Sequence, residues 1–178
     1  MQIDLPYLLS QLSINAAATI LGGLLLALIL FLLSDKLFSL PNLNGIWTFN
    51  VEIKQTSYNP YKNMTLTYIA LIWQEGNKIY GSGEKVKEIT GDTVRNYTGN
   101  YRSKINIQGY VTKRYIRKSE IILHYNEIGE QRESSTINIL KVINESKMVG
   151  DYISTIANSS GISCWIRGNK IFKFDNQG

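Results

Sequence analysis

The sequence is short of the residues that carry most chemistry. Its 178 residues contain one cysteine and one histidine. A lone cysteine, Cys164, excludes an internal disulfide and fits a reducing compartment. It stands beside Trp165, where a buried core thiol is expected. The lone histidine, His124, lies in IILHYNE with no cysteine or carboxylate cluster around it, which suits a structural side chain better than a metal ligand. There is no G-x-S-x-G, no P-loop and no H-E-x-x-H. Gly81-Ser82-Gly83 falls inside a strand pattern rather than at a helix start, so it is no phosphate loop, and Glu84 and Glu88 form no assignable acid–base pair. These absences argue against an enzyme and call for no metal or cofactor.

Charge is also missing, in one place. From Leu5 to Ser34 no side chain is charged, and Ile14–Leu33 reads INAAATILGGLLLALILFLL. About 20 such residues suffice for a helix to cross a hydrocarbon core of about 30 Å. A cleaved signal would have a basic start and a short apolar region. Here Asp4 precedes the run, no Lys or Arg does, and the run is long, so a membrane anchor is expected. Lys36 follows the span, and the positive-inside tendency then places the N-terminus outside and the remainder in the cytosol. Ala16–Ala18 and Gly22-Gly23 would let spans approach closely, a feature of self-associating helices.

The remainder, residues 40–178, is large enough for one domain with its own core. Asp4, Asp35 and Lys36 are the charged residues before Leu40; without them the totals of 19 Lys/Arg and 14 Asp/Glu become 18 and 12. This excess favours an anionic partner.

After Pro41-Asn42 the hydrophobic period becomes two. In GIWTFNVEIKQ, Gly45–Gln55, one face carries Trp47, Phe49, Val51 and Ile53, and the other Thr48, Asn50, Glu52 and Lys54. Met64–Gln74 is a second strand, Glu75-Gly76-Asn77-Lys78 a hairpin turn, and Lys78–Glu88 a third strand whose Gly81 and Gly83 permit a bulge or sharp bend. Ile89–Asn100 reads as a polar loop. Further strands are expected at Arg102–Tyr115, Glu120–Asn126, Ser134–Ile143, Met148–Ile156 and Ile162–Arg167, with a short one at Ile171–Phe174. About eight short-linked antiparallel strands make an all-β body; the aromatic inner face and the glycines favour an up-and-down barrel over a two-sheet sandwich.

Gly45-Ile46-Trp47 resembles the Gly-x-Trp signature of lipocalins and related barrels. That resemblance implies that Trp47 plugs the closed end and that a late arginine, Arg167, packs over it. A membrane anchor, the linker Leu37–Asn44 and a Gly-x-Trp barrel together are similar to the CD-NTase-associated transmembrane β-barrel effectors of CBASS antiphage defence, and to the related effector of the minimal CRISPR polymerase system. Those proteins often carry two spans, where this sequence has room for one. The resemblance implies a bacterial inner-membrane protein whose barrel receives a cyclic di- or trinucleotide. The ligand would control assembly of the spans, and assembly would disrupt the membrane and kill the infected cell. A constitutive membrane-tethered module for lipid or protein is the alternative.

Antiparallel order sorts the loops onto two ends. The end away from Trp47 gathers Lys54, Tyr58, Tyr61, Lys85, Tyr97, Tyr101, Arg102 and Lys104, the expected ligand-binding set. Cations pair with phosphates and aromatic rings stack on bases, so a nucleotide calls for both; no DNA or RNA polymer is expected. The end that carries the anchor holds Lys113, Arg114, Arg117 and Lys118, placed to meet anionic lipid headgroups.

Overall fold

In the computed structural model the described residues are 5–37, 40–112, 119–129 and 133–168. The chain divides into two compact units, Met1–Ser39 and Leu40–Gly178. The first holds one helix, α1 (Leu5–Leu37). Within it Leu12–Leu33, 22 residues, is long and apolar enough to cross a membrane. At 1.5 Å per residue those residues extend about 33 Å. Every described side chain from Leu12 to Leu33 is exposed, so the helix has no single buried face to set against a protein core. The Thr19 hydroxyl donates to the Asn15 carbonyl at 2.8 Å, which satisfies within the helix a polar group that lipid could not.

The second unit is a closed antiparallel barrel. Its strands are β1 (Gly45–Gln55), β2 (Thr65–Glu75), β3 (Lys78–Thr90), β4 (Thr93–Asn96), β5 (Lys104–Thr112), β6 (Glu120–Ile128), β7 (Glu133–Asn144), β8 (Lys147–Ser154) and β9 (Ser159–Arg167). They are ordered β2-β1-β9-β8-β7-β6-β5-β3-β4, and pairing of β2 with β3 closes a ring of eight. Closure leaves no long edge to template aggregation. The sandwich alternative is thereby excluded.

One expectation is corrected. Ile89–Asn100 is not a plain loop: β3 continues to Thr90, turns at Gly91, and pairs with β4 from Thr90↔Thr93 to Lys87↔Asn96. In the four residues TVRN of β4, Val94 is the one apolar side chain, so no period can show. A single turn of 3-10 helix, Gly99–Tyr101, then leads into β5. The irregularity in the β2–β3 ladder falls between Thr67 and Tyr68, opposite Val86, not at Gly81 or Gly83. Glycine is needed at Gly83 for another reason: a Cβ there would lie 2.5 Å from the Ile69 carbonyl oxygen of the neighbouring strand.

The period-two pattern sends alternate side chains inward. Trp47, Phe49, Ile72, Ile79, Ile107, Val111, Ile121, Leu123, Leu140, Met148 and Trp165 fill the half of the barrel nearest the linker. Phe49 is stacked between Trp165, with ring centroids 3.7 Å apart, and Tyr68, at 4.7 Å. The same alternation corrects the reading of Cys164. Trp165 points in and is fully buried, so Cys164 points out and is only half-buried. His124 also faces out and hydrogen-bonds Ser135 Oγ at 2.6 Å.

Candidate functional site

The two ends of the barrel differ in kind. At the end where the linker arrives, Trp47 is fully buried and its indole N–H donates to the Leu43 carbonyl at 2.8 Å. Trp47 and Arg167 are cross-strand partners. The Arg167 guanidinium lies 5.0 Å from the centroid of the Trp47 ring and donates to the carbonyl of Asn44 at 3.0 Å and to that of Asn42. Gly45, at φ 126°, makes the turn from linker into β1 that these bonds require. The arginine thus covers a desolvated indole face and ties the linker backbone to β9. Lys113, Arg114, Arg117 and Lys118 fall between β5 and β6 and lie outside the described residues.

The opposite end is open. The apolar packing stops at the level of Val51, Tyr68 and Tyr125, and above it lies a cup of about 350 Å³. Strand alternation, reset in β3 by the extra residue Val86, builds its wall: Tyr68 from β2, Lys85 and Glu88 from β3, Tyr125 and Glu127 from β6, Ser134 and Thr136 from β7, Tyr152 and Ser154 from β8, and Ser159 from β9. Arg95, from β4, and Tyr97 complete the rim. A second cavity, of about 480 Å³, adjoins it and shares Lys85, Arg95, Tyr97, Glu127, Ser134 and Ile156, adding Asn96, Thr98, Tyr101 and Ser103. Tyr97 and Lys85 therefore stand between an inner cup and an outer vestibule. Both volumes fall within the range of small-molecule sites.

A polar network holds these groups in place. Lys85 Nζ lies 2.9 Å from Glu127 Oε1, with the two side chains 16 % and 9 % exposed. The Tyr68 hydroxyl donates to Glu127 Oε2 at 2.9 Å. Burial, then the neighbouring tyrosine and glutamate charges, push the Tyr68 phenol well above its ordinary range, so it remains a donor. The Tyr97 hydroxyl donates to Glu88 Oε2 at 2.9 Å, and Lys85 Nζ sits 5.2 Å from the Tyr97 ring centroid. Arg102 Nε donates to the Tyr97 carbonyl at 3.0 Å, which pins the segment behind β4. Burial raises the Tyr125 phenol and pushes the Tyr152 phenol up to about 12. The Tyr152 hydroxyl makes no well-formed hydrogen bond, although Ser159 lies near enough to favour its ionised form slightly.

Of the expected ligand-binding set, the structure brings together Tyr61, Lys85 and Tyr97 in the cup and Tyr101 in the vestibule. Tyr58 is exposed and meets Tyr61 edge-on, with centroids 4.8 Å apart. Lys54, Arg102 and Lys104 do not line either cavity. Lys54 is exposed on the outer face of β1 beside Glu52, Arg102 pairs with Glu84 at 3.1 Å, and Lys104 is exposed at the start of β5. Sequence position put them at the open end, but the pleat turns Lys54 and Lys104 outward, and Glu84 holds Arg102. Glu88, Glu127 and the inward hydroxyls were missed, and Arg95, which sequence position also assigns to this end, stands outside the expected set. The available signal for Glu127 was its place in the alternation Ile121, Leu123, Tyr125, which marks it as an inward carboxylate. Among the described residues no group of three or more His, Cys, Asp or Glu side chains could hold a metal ion.

The fold and site define a small up-and-down barrel, plugged at one end and carrying a polar, dead-end cup at the other. No protein-family profile and no curated protein matches the chain. Among solved structures it is similar to a redesigned β-barrel, at 11 % identity and a TM-score of 0.43, with 72 % of this chain and 92 % of that one covered.

Proposed function

We propose that the protein is a membrane-anchored receptor whose barrel takes a cyclic oligonucleotide in its open end, and that occupancy controls assembly of the spans of neighbouring copies. The observation that carries this reading is the pairing of cations with aromatic rings at that end: Lys85 and Arg95 interleave with Tyr61, Tyr97 and Tyr101 around two joined cavities. Phosphates and bases need that combination. A cup closed beneath by packed aromatic residues admits a compact ligand and gives a DNA or RNA polymer no path through. An acyl chain is the poorer guest, because it would take water from the charged side chains Lys85, Arg95, Glu88 and Glu127 that line the cup and offer them no polar partner in its place. That weighs against the constitutive lipid-binding alternative.

In this reading the protein is not an enzyme. It sits in a bacterial inner membrane with its N-terminus outside and its barrel in the cytosol, and it acts in antiphage defence by breaching the membrane through clustered copies of α1. Isothermal titration of the full chain in phospholipid nanodiscs against cyclic di- and trinucleotides tests the receptor. Micromolar or tighter binding of at least one is expected, and silence across the panel refutes it. Replacing Ile14–Leu33 by a soluble linker should preserve ligand binding and abolish toxicity on expression. Toxicity that survives this change refutes the effector mechanism.

A further inference from the structure

The charges of the cup are balanced, which is unusual for a phosphate site. Its lining cations are Lys85 and Arg95, and its lining carboxylates are Glu88 and Glu127. Lys85 is already committed to Glu127 at 2.9 Å. A phosphodiester brings only acceptors and negative charge, and in the cup it would face two carboxylates that can only accept. The vestibule has a different balance. It keeps Lys85, Arg95 and Glu127, lacks Glu88, and so carries one cation beyond the ion pair. Arg95 is exposed there, and its interactions with Tyr97 and Glu88 push its guanidinium still further up, so it stays charged.

We infer that the two cavities divide the ligand: the cup takes a nucleobase edge that donates hydrogen bonds, read by Glu88, while the phosphates stay in the vestibule against Arg95. This rests on the nucleotide reading above. Glu88 is oriented for the task because one of its oxygens accepts from the Tyr97 hydroxyl, which fixes the carboxylate plane at the boundary of cup and vestibule. The Tyr97 ring, lining both cavities and backed by Lys85, stands where base meets sugar-phosphate. The receptor should then favour bases with an exocyclic amine. A site built to receive a donor disfavours the analogue that lacks it, because the free oxygen of half-buried Glu88 then gains no partner from the ligand.

The test is a binding comparison on the full chain in nanodiscs, with cyclic di-AMP, cyclic di-GMP and cyclic di-IMP. Inosine lacks the exocyclic amine of adenosine and of guanosine but keeps the N1–H it shares with guanosine, so cyclic di-GMP against cyclic di-IMP isolates the amine. At least one amine-bearing ligand should bind about tenfold or more tightly than cyclic di-IMP. Glu88→Gln should collapse that preference while leaving the salt dependence of binding unchanged. Arg95→Gln should weaken all ligands alike and make binding less sensitive to salt. The wild-type comparison needs no variant to fold. Equal affinity for all three ligands overturns the inference while leaving the receptor reading intact. So does an E88Q protein that binds every ligand, and inorganic pyrophosphate, more tightly by a common factor, since the cup would then be a phosphate site. Failure of all three ligands and the wider panel to bind refutes the receptor reading, and this inference with it.

Discussion

Replacing Lys85 by methionine tests whether the ion pair at the cup is the strut it resembles. Lys85→Met keeps the length and most of the volume of the side chain. It leaves the Glu127 carboxylate, 9 % exposed, with the Tyr68 hydroxyl as its remaining close partner. Removing one member of a fully buried pair costs about 3–5 kcal/mol, because the other charge stays desolvated. The cup opens to solvent, which relieves part of this, so a loss of about 2–3 kcal/mol is expected for K85M. Glu127→Gln alone should cost less, about 1 kcal/mol, since Lys85 is 16 % exposed and has the Tyr97 ring beside it. The double variant removes both charges and keeps an acceptor for Tyr68, so it should be more stable than K85M by about 1–2 kcal/mol. For a domain of this size 1 kcal/mol is about 4 °C in Tm. Thermal unfolding of the full chain in detergent micelles, followed by the fluorescence of buried Trp47 and Trp165, reads all four proteins. Strictly additive losses, or a K85M protein as stable as the parent, would refute the argument.

Other perturbations probe the frame around the cup. Gly150→Ala places a Cβ 1.9 Å from the Ile139 carbonyl oxygen of the neighbouring strand, so β7 and β8 must separate. A loss of about 2 kcal/mol or more is expected by urea denaturation, whereas Gly22→Ala, with nothing within 4 Å, should leave barrel stability unchanged. Arg167→Ala removes the cover of Trp47 and two bonds to the linker backbone. It should cost about 1–2 kcal/mol and speed amide exchange through residues 42–47, and unaltered exchange there would contradict the clamp. Alkali should unfold the barrel in a defined window. Burial raises the folded-state phenol of Tyr152 to about 12, with Tyr68 and Tyr125 also raised, so the folded form resists ionisation. The stability these groups contribute is complete below the unfolded phenol value of about 10 and falls away as pH rises toward 12. Tyrosinate absorbance should therefore show an exposed class titrating first and a buried class appearing together with unfolding. A single non-cooperative titration near pH 10 would contradict the assigned burial.

Much of this protein is determined by local sequence. An uncharged run such as Ile14–Leu33 has no hydrophilic face to offer water, so its length and composition alone make it a candidate span. Strict alternation from Trp47 to Ile53 marks an inward face whatever the partner strands are, because successive side chains on a strand must point to opposite sides. Antiparallel order likewise assigns each loop to one end of the barrel before any register is known. Closure was a different matter: it depended on β1 finding β9, the first strand and the last, which no local turn joins, and the irregularity that sets Tyr68 against Lys85 in the β2–β3 hairpin follows from the folded register and not from either segment alone. The cup depended on it too. Lys54 and Lys104 belong to the mouth by sequence position, yet the pleat sends them outward, while Arg95 reaches the site on a four-residue strand too short to carry a readable period. Whether a charged residue near a strand end meets ligand or solvent is set by half a turn of pleat and by what lies across the barrel. The ion pair between Lys85 and Glu127, 42 residues apart in the chain, exists only because β5 pairs with both β3 and β6 and sets the two side chains on one inward face.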